Sequence, residues 1–456
     1  MQIKIPGMKK TLSDYQDRTG RIMLLLIFEG MIMNASFVLT QGVFLSGYII
    51  KIGGNDFLVG MLNSSLNWSL LVSIPAFLIY KRIKNRRFLL VTLLLFSRIL
   101  ICGIVFLPLI TMSHGAMLLP SSIMVVLGNT FWSAYMVGYM VMIVDLVPSE
   151  KRNGFMFTRM LTLRIAFSVA AVAMGYLLDY FTKSMTGFYI IYGFSFALAI
   201  ADVIIIWISS KSLPKQEPNS RNQKENILEP LKHRNYTVYL AFIFVLYFAF
   251  SISNSYTPVY LLKHVGLGYG LISTMNIFMY TSLIIFTSVW KKVEKKIGML
   301  NVFMICALIM AFEFIFYVFI SKQTYLLLIP SSIISGAGNA GFNVVAINYR
   351  YSIIPAEKRT LYESWNVALV GGAFLLGPFV GNELLHLIPQ VSGHLFTSNF
   401  QILYLVSFII AIILICLTFK GPSRIRLIQA EPVSGSAIIN NSAIINNSME
   451  KRDQDG

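Results

Sequence analysis

Four charged side chains stand inside long apolar stretches of this sequence, where charge is costly. They are Glu29, Arg98, Arg164 and Asp202. A charge near the centre of a membrane costs roughly 2.5–3.5 kcal/mol on insertion scales, so each needs an oppositely charged partner or a water-filled cavity. One interpretation is structural: Glu29 pairs with Arg98, and Asp202 pairs with Arg164. The other is functional: Glu29 exchanges a proton, while Arg98 or Arg164 attracts an anion.

Carboxamide and hydroxyl groups form a second set of candidate residues. Asn129, Trp132 and Ser133 share one helix face by their three- and four-residue spacing, and Asn339 and Asn343 share another. Carboxamides offer donors and acceptors without the cost of charge, which suits a polar neutral or zwitterionic ligand. The alternative for any one of them is that buried Asn and Ser side chains hold helices together.

The elements that carry these residues are apolar and long enough to cross a membrane. The chain has 456 residues, of which 56% are hydrophobic and 12% charged, and its mean hydropathy is +0.69. Apolar stretches of about 20 residues match a hydrocarbon layer about 30 Å thick. We therefore predict an all-α integral membrane protein. Its twelve predicted spans are residues 21–47, 57–80, 88–111, 116–147, 155–179, 187–209, 236–262, 270–290, 299–320, 325–354, 361–388 and 400–419.

The net charge of +17 follows from the topology of these spans. Basic residues are concentrated at 81–87, 151–152 and 291–296, after the second, fourth and eighth spans. By the positive-inside rule, these connections and both termini are cytoplasmic. The charge therefore indicates no nucleic-acid partner, and its secondary effect is attraction to anionic lipid head groups.

A polar interruption at residues 210–235 divides the chain almost equally. Its proline, asparagine and charged residues predict a flexible cytoplasmic linker. The tail contains the low-complexity repeat "SAIINNSAIINNS" and is predicted to be disordered. The predicted organisation is a cytoplasmic N-terminal segment (1–20), a six-helix bundle (21–209), the linker (210–235), a second six-helix bundle (236–419) and a cytoplasmic tail (420–456).

The two predicted bundles repeat each other. "PSSIMVVLGN" at 120–129 matches "PSSIISGAGN" at 330–339, and "PSEKR" at 148–152 recurs as "PAEKR" at 355–359. These matches open and close the fourth and tenth spans. Six helices repeated in the same orientation are typical of transporters built from two bundles.

With these features the sequence resembles the major facilitator superfamily over residues 21–419. "DLVPSEKRNGFMFTR" is similar to the D-L-V-P-x-x-x-R-G-x-x-x-x-x-R pattern that follows the fourth helix in that family. The family's loop after the second helix, G-x-x-x-D-R-x-G-R-R, is only partly kept, because Lys81 stands where the acidic residue is expected. The resemblance implies a cytoplasmic gate, for which the candidate residues are Asp145, Glu150, Arg152, Arg159 and Arg359.

The resemblance also implies a central cavity lined by the first, fourth, seventh and tenth helices. Gln41 and Asn254 lie at similar predicted depth and would complete its polar ring. Glu313, on the ninth helix, is either a protonatable switch or a side chain that extends toward the membrane surface. Because the ninth helix often faces lipid in this fold, we favour the second. The candidate substrate-binding residues are Gln41, Asn129, Trp132, Ser133, Asn254, Asn339 and Asn343.

The predicted function is secondary active transport of a small organic solute by alternating access. Proton coupling is a sub-hypothesis that rests on Glu29. The carboxamides favour uptake of a polar solute, whereas the 22 methionines, with Trp68, Trp132 and Trp365, favour export of an amphipathic one. The alternative is a transport-inactive membrane receptor or scaffold with the same fold.

Neither catalysis nor cofactor chemistry is predicted. The sequence has no ATP-binding loop and no metal-ligand spacing, and its three cysteines lie within predicted spans. We expect no enzyme activity, no cofactor and no bound metal. The expected partners are a small-molecule substrate, the lipid bilayer and, under the coupling hypothesis, protons. We expect a monomer in the plasma membrane.

Overall fold

Twelve long helices make up most of the computed structural model. It describes residues 18–83, 85–110, 113–181, 183–213, 226–355, 358–388 and 396–420, and the regular secondary structure of these residues is entirely helical. The twelve helices are Thr19–Lys51 (α1), Asp56–Tyr80 (α2), Arg86–Pro108 (α3), Leu118–Leu146 (α4), Ser149–Tyr180 (α5), Met185–Ser209 (α6), Arg234–His264 (α7), Tyr269–Ile297 (α8), Met299–Phe319 (α9), Leu328–Ile353 (α10), Arg359–Leu387 (α11) and Asn399–Lys420 (α12).

The helices fit a protein that crosses the membrane many times. Within the described part of the chain, eleven are long and apolar enough to span a bilayer. The remaining one, α10, is 26 residues long but is rich in serine, asparagine and glycine. The predicted all-helical membrane fold is confirmed. The predicted N-terminal segment, linker and tail are covered only in part, because residues 1–17, 214–225 and 421–456 lie outside the described residues.

Helix packing in the first half of the chain is repeated six helices later. α1 packs against α5 and α6, and α3 packs against α4 and α6. In the second half, α7 packs against α11 and α12, and α9 packs against α10 and α12. The two halves are therefore similar six-helix bundles, called here the N-bundle (α1–α6) and the C-bundle (α7–α12). The predicted residue limits of these domains stay a prediction.

The bundles meet along two helix pairs, α2 with α11 and α5 with α8. Because the number of helices is even, α1 begins and α12 ends at the same end of the molecule, called here the termini end. The opposite end, which contains the connections from α1 to α2 and from α7 to α8, is the far end.

A break in α1 places one polar side chain between the bundles. Helix Arg18–Val38 ends before Leu39, and helix Gly42–Lys51 begins after Gln41. Gly42 has a φ of +56°, a conformation that glycine adopts without the steric cost of a side chain. The Gln41 side chain makes no capping hydrogen bond to the second segment. Its carboxamide is therefore available for contacts with other helices.

Candidate functional site

A cavity of about 350 Å³ lies between the two bundles, toward the far end. Residues of α1, α2 and α5 line it from the N-bundle, and residues of α7, α8, α9 and α10 line it from the C-bundle. A cavity of this volume suits a small organic molecule. Its polar lining residues are Gln41, Asn63, Asn254, Thr257, Ser273, Asn276, Glu313, Tyr317, Ser332 and Ser335.

A buried carboxamide network fixes Gln41 in the cavity wall. Gln41 Nε2 donates to Asn129 Oδ1 at 2.9 Å, and Asn129 Nδ2 donates to Ser65 Oγ at 2.7 Å. Asn129 and Ser65 are fully buried. Gln41 Oε1 has no hydrogen-bond partner among the described residues. Among the described residues the Gln41 carboxamide is therefore fixed through its Nε2, and its buried Oε1 is an unsatisfied acceptor that costs free energy.

The predicted substrate-binding residues are only partly brought together. Gln41 and Asn254 line the cavity. Asn129 lies behind Gln41 and accepts a hydrogen bond from it; a role in substrate binding stays a prediction. Trp132 also lies behind the wall, since its ring stacks on Phe37, a lining residue, with ring centroids 5.4 Å apart.

The other three predicted substrate-binding residues do not line this cavity. Ser133 is buried within the N-bundle. Asn339 Nδ2 donates to Ser335 O at 2.9 Å, and Asn343 Nδ2 donates to Asn339 O at 3.0 Å. Both asparagines of α10 thus bond to the backbone of their own helix, and their role in substrate binding stays a prediction.

Two carboxamides and one carboxyl group of the lining stand on helices that the resemblance did not assign to the cavity. They are Asn63 on α2, Asn276 on α8 and Glu313 on α9. The expectation that Glu313 extends toward the membrane surface is wrong, because its side chain lines the cavity. α9 packs against α10, whose Ser332 and Ser335 line the same cavity. In the sequence, Asn63, Asn276 and Glu313 are recognisable as polar residues within apolar spans.

Arg98 and Asp202 form an ion pair inside the N-bundle. Arg98 Nε and Nη2 donate to Asp202 Oδ2 at 3.0 and 2.7 Å, and both residues are buried. The Arg98 guanidinium also lies over the Trp132 ring, 4.6 Å from its centroid. The expected pairs, Glu29 with Arg98 and Asp202 with Arg164, are therefore wrong. α3 packs directly against α6, and this contact selects the partner.

Glu29 is held instead by Arg159 and Tyr139. The Tyr139 hydroxyl donates to Glu29 Oε2 at 2.6 Å, and Arg159 Nη2 donates to the same oxygen at 3.2 Å. Arg159 Nη2 also donates to the Tyr139 hydroxyl, and Arg159 Nε donates to Leu26 O at 3.2 Å. Arg159 is buried. The packing of α1 against α5 places Arg159 in this network, and its predicted gate role stays a prediction.

Arg164 contacts a tyrosine of the other bundle and not the predicted partner Asp202. Arg164 Nη1 donates to the Tyr280 hydroxyl at 3.1 Å, and the guanidinium lies 4.6 Å from the centroid of the Tyr280 ring. Arg164 is on α5 and Tyr280 on α8, so this contact crosses the interface between the bundles.

The C-bundle contains a comparable set of an arginine, a carboxylate and a tyrosine. Arg350 Nε donates to Glu363 Oε1 at 2.6 Å, and Arg350 Nη1 donates to the Tyr239 hydroxyl at 2.8 Å. These residues stand on α10, α11 and α7, the counterparts of α4, α5 and α1. Each bundle therefore fixes the same three helices with a charged cluster, although the residue types are distributed differently among them.

The remaining predicted gate residues lie near the termini end. Asp145 lies within electrostatic range of Arg152, and Arg152 Nη2 donates to Val147 O at 3.2 Å. Glu150 accepts a hydrogen bond from Ser149 Oγ at 2.7 Å. The Arg359 guanidinium lies 4.9 Å from the centroid of the Tyr351 ring. Each of these contacts lies within a single bundle and none joins the two bundles. A gate role for these residues stays a prediction.

Polar contacts close the far end between the bundles. Lys263 Nζ lies 2.5 Å from Asp56 Oδ1, joining α7 to α2. The Asp179 carboxylate of α5 accepts hydrogen bonds from the backbone N–H groups of Tyr269 and Gly270, at 2.9 and 2.8 Å, where α8 begins. A carboxylate at a helix N-terminus is stabilised by the helix dipole. The cavity therefore lies beneath a closed far end.

Comparisons with known proteins agree with this architecture. A family model described as Major Facilitator Superfamily matches residues 22–329 and 269–448. No curated protein matches the chain. Several solved structures are similar to it at low sequence identity.

One is the nucleoside transporter NupG, with a TM-score of 0.62 and 16% identity over 88% of this chain and 99% of that one. Another is a D-xylose-proton symporter, with a TM-score of 0.64 and 13% identity over 88% and 97%. A bacterial homologue of the iron transporter ferroportin, in an inward-facing state, has a TM-score of 0.64 and 14% identity over 88% and 98%. At these identities the likeness shows a shared fold.

Proposed function

Because this chain belongs to the major facilitator superfamily, a family of secondary transporters, we propose that it moves a small polar organic solute by alternating access. The observation that carries the proposal is the set of four carboxamides around one cavity. Gln41, Asn63, Asn254 and Asn276 reach it from α1, α2, α7 and α8, two helices of each bundle. A solute bound to all four would contact both moving parts.

Carboxamides give this cavity hydrogen-bond donors and acceptors in apolar surroundings. Phe37, Phe44, Phe167 and Met275 supply apolar contacts between the polar groups. A ligand site of this kind is mostly apolar, with a few polar groups that fix orientation. The arrangement suits a solute with several polar atoms on a compact carbon frame.

Alternating access requires the far end to open and the termini end to close. The far-end contacts include the exposed Asp56–Lys263 ion pair, the Asp179 bonds to α8 and the stacking of Phe44 on Tyr269. Exposed ion pairs contribute about 0–1 kcal/mol each, so the Asp56–Lys263 pair can break at modest cost. From the basic connections near the termini end, we place that end in the cytoplasm and the protein in the plasma membrane.

Proton coupling through Glu29 is the finer part of the proposal. Glu29 Oε1 and Asp202 Oδ1 are buried and have no hydrogen-bond partner among the described residues. The Asp202 carboxylate is close enough to act electrostatically on Glu29. Two buried carboxylates that act on each other electrostatically repel, and a proton held between Glu29 and Asp202 would relieve that repulsion. Protonation of Glu29 would also weaken its ion pair with Arg159, which joins α5 to α1.

A ligand screen on purified protein tests the proposal. Amino acids, sugars, nucleosides and short peptides would be tested for an increase in melting temperature, since a ligand stabilises the state that it binds. We expect a polar solute to stabilise the wild type and to stabilise Asn254→Ala less. Solutes that raise the melting temperature of the wild type and of Asn254→Ala equally would contradict the assignment of this cavity as the substrate site.

A further inference from the structure

Glu313 is the one charged residue among the described residues that line the cavity. It lies on α9, near the end of that helix at Phe319. The described lining contains no lysine, arginine or histidine. Glu313 also takes part in none of the ion pairs formed by the described residues. The cavity therefore presents one carboxyl group without a fixed counter-charge.

Hydroxyl groups and aromatic rings surround this carboxylate. Ser335 of α10 lies within hydrogen-bonding range of Glu313. Tyr317, which also lines the cavity, stacks on Tyr404 of α12 with ring centroids 4.8 Å apart and planes at 22°. The Tyr404 hydroxyl is 2.8 Å from Oγ1 of Thr257, another lining residue. The faces of such rings attract cations.

The sign of the charge in the cavity is opposite to that of the chain. The chain carries a net charge of +17, yet its cavity offers a carboxylate. A carboxylate in apolar surroundings is costly unless it is paired. A positively charged ligand would supply the missing counter-charge, and charge-assisted hydrogen bonds are about twice as strong as neutral ones.

We infer that the solute carries a positively charged nitrogen, an amine or a quaternary ammonium group, which Glu313 and the Tyr317 ring bind. The carboxamides of Gln41, Asn254 and Asn276 bind the polar remainder of the molecule. This inference rests on the proposed function, because it names the chemical class of solute for the same cavity.

Matched probes separate the charge of a ligand from its shape. Choline would be compared with its neutral isostere 3,3-dimethylbutan-1-ol, and 2-phenylethylamine with 2-phenylethanol, in binding measurements on the purified full-length protein. We expect the wild type to bind at least one cation about tenfold more tightly than its isostere. Glu313→Gln keeps the shape of the side chain and removes its charge. It is expected to abolish the preference for the cation over its neutral isostere.

Two further variants control for folding and for general charge. Glu383→Gln removes a carboxylate from an exposed position on α11 and is expected to keep the full preference for the cation. Glu313→Asp retains the charge and is expected to keep a reduced preference. A wild type that does not prefer any cation would overturn the inference, and so would an unchanged preference in Glu313→Gln.

Transport measurements distinguish this inference from the proposed function. Flux of neutral solutes without a cation preference would overturn the inference and leave the proposed function standing. A cation preference that is lost in Glu313→Gln, in a protein without flux, would support the ligand class and contradict transport. A Glu313→Gln variant that loses only its response to a pH gradient, with cation preference intact, would assign Glu313 to proton binding and overturn the inference.

Discussion

Arg98 and Asp202 form a buried ion pair, with Arg98 Nη2 2.7 Å from Asp202 Oδ2 and the two side chains only 2% and 0% exposed. The pair formed by Lys263 and Asp56 is as short, at 2.5 Å, but its side chains are 40% and 33% exposed. Breaking a buried pair leaves an uncompensated charge in apolar surroundings, whereas water solvates the remaining partner of an exposed pair. Burial, and not distance, therefore decides what each pair contributes to stability.

Asp202→Asn is expected to lower the free energy of unfolding by about 3 kcal/mol or more, because it leaves Arg98 charged and buried. Asp56→Asn is the matched control and is expected to lower it by less than about 1 kcal/mol. Thermal unfolding of the purified variants in one detergent compares them. Equal losses of stability would show that burial does not separate the two pairs.

Asn129→Ala is expected to weaken solute binding about fivefold, although Asn129 does not line the cavity. The substitution removes the acceptor of Gln41 Nε2, and one hydrogen bond contributes about 1 kcal/mol. Binding of a solute found in the ligand screen measures the effect. Asn301→Ala serves as the control, since Asn301 lies near the start of α9, away from the cavity lining, and its carboxamide donates to the carbonyl of Ile297, the last residue of α8. Equal affinity of the two variants would contradict the positioning of Gln41 by Asn129.

Gly47→Ala is expected to shift the protein away from the state in which the far end is closed. A Cβ atom on Gly47 would lie 2.6 Å from Tyr269 Cζ and 2.7 Å from Tyr269 Cε1, a separation that side chains do not tolerate. A single cysteine replacing Ser273 in the cavity would report the shift. It should react faster with an impermeant maleimide added at the far side.

Gly193→Ala is the control for that labelling experiment, because a Cβ atom on Gly193 meets nothing within 4 Å. Its labelling rate should equal that of the background protein. A Gly47→Ala variant that labels no faster than this control would show that the far end does not need the close contact between α1 and α8.

Glu29→Gln is expected to abolish accumulation driven by a pH gradient and to preserve exchange of solute across the membrane. The neutral side chain can still accept the hydrogen bond from Tyr139 but cannot gain or lose a proton. Uptake and counterflow in proteoliposomes measure the two activities separately. Unchanged accumulation would exclude Glu29 from coupling, and loss of both activities would indicate structural damage.

The spans and the two-bundle architecture could be predicted because they depend on local properties of the sequence. Hydropathy marks the membrane helices, and the repeats at 120–129 and 330–339 mark the duplicated bundles. These signals are independent of how each helix is rotated about its axis.

The charge pairs and the full cavity lining depend on that rotation and could not be predicted. Glu29 could pair with any arginine at a similar depth, and only the packing of α1 against α5 selects Arg159 over Arg98. Glu313 was assigned to the membrane surface from the usual position of its helix. Its place at the cavity depends on the packing of α9 against its neighbours, which is a tertiary contact.

The most direct test of alternating access is solute counterflow measured before and after the far end is cross-linked. In a protein whose native cysteines are replaced by serine, Asp56→Cys and Lys263→Cys would be joined by a bifunctional methanethiosulfonate reagent, with each single-cysteine variant as a control. Cross-linking is expected to stop exchange of the bound solute in proteoliposomes, and reduction of the disulfides is expected to restore it. Exchange that continues at the same rate after complete cross-linking would contradict transport through this cavity.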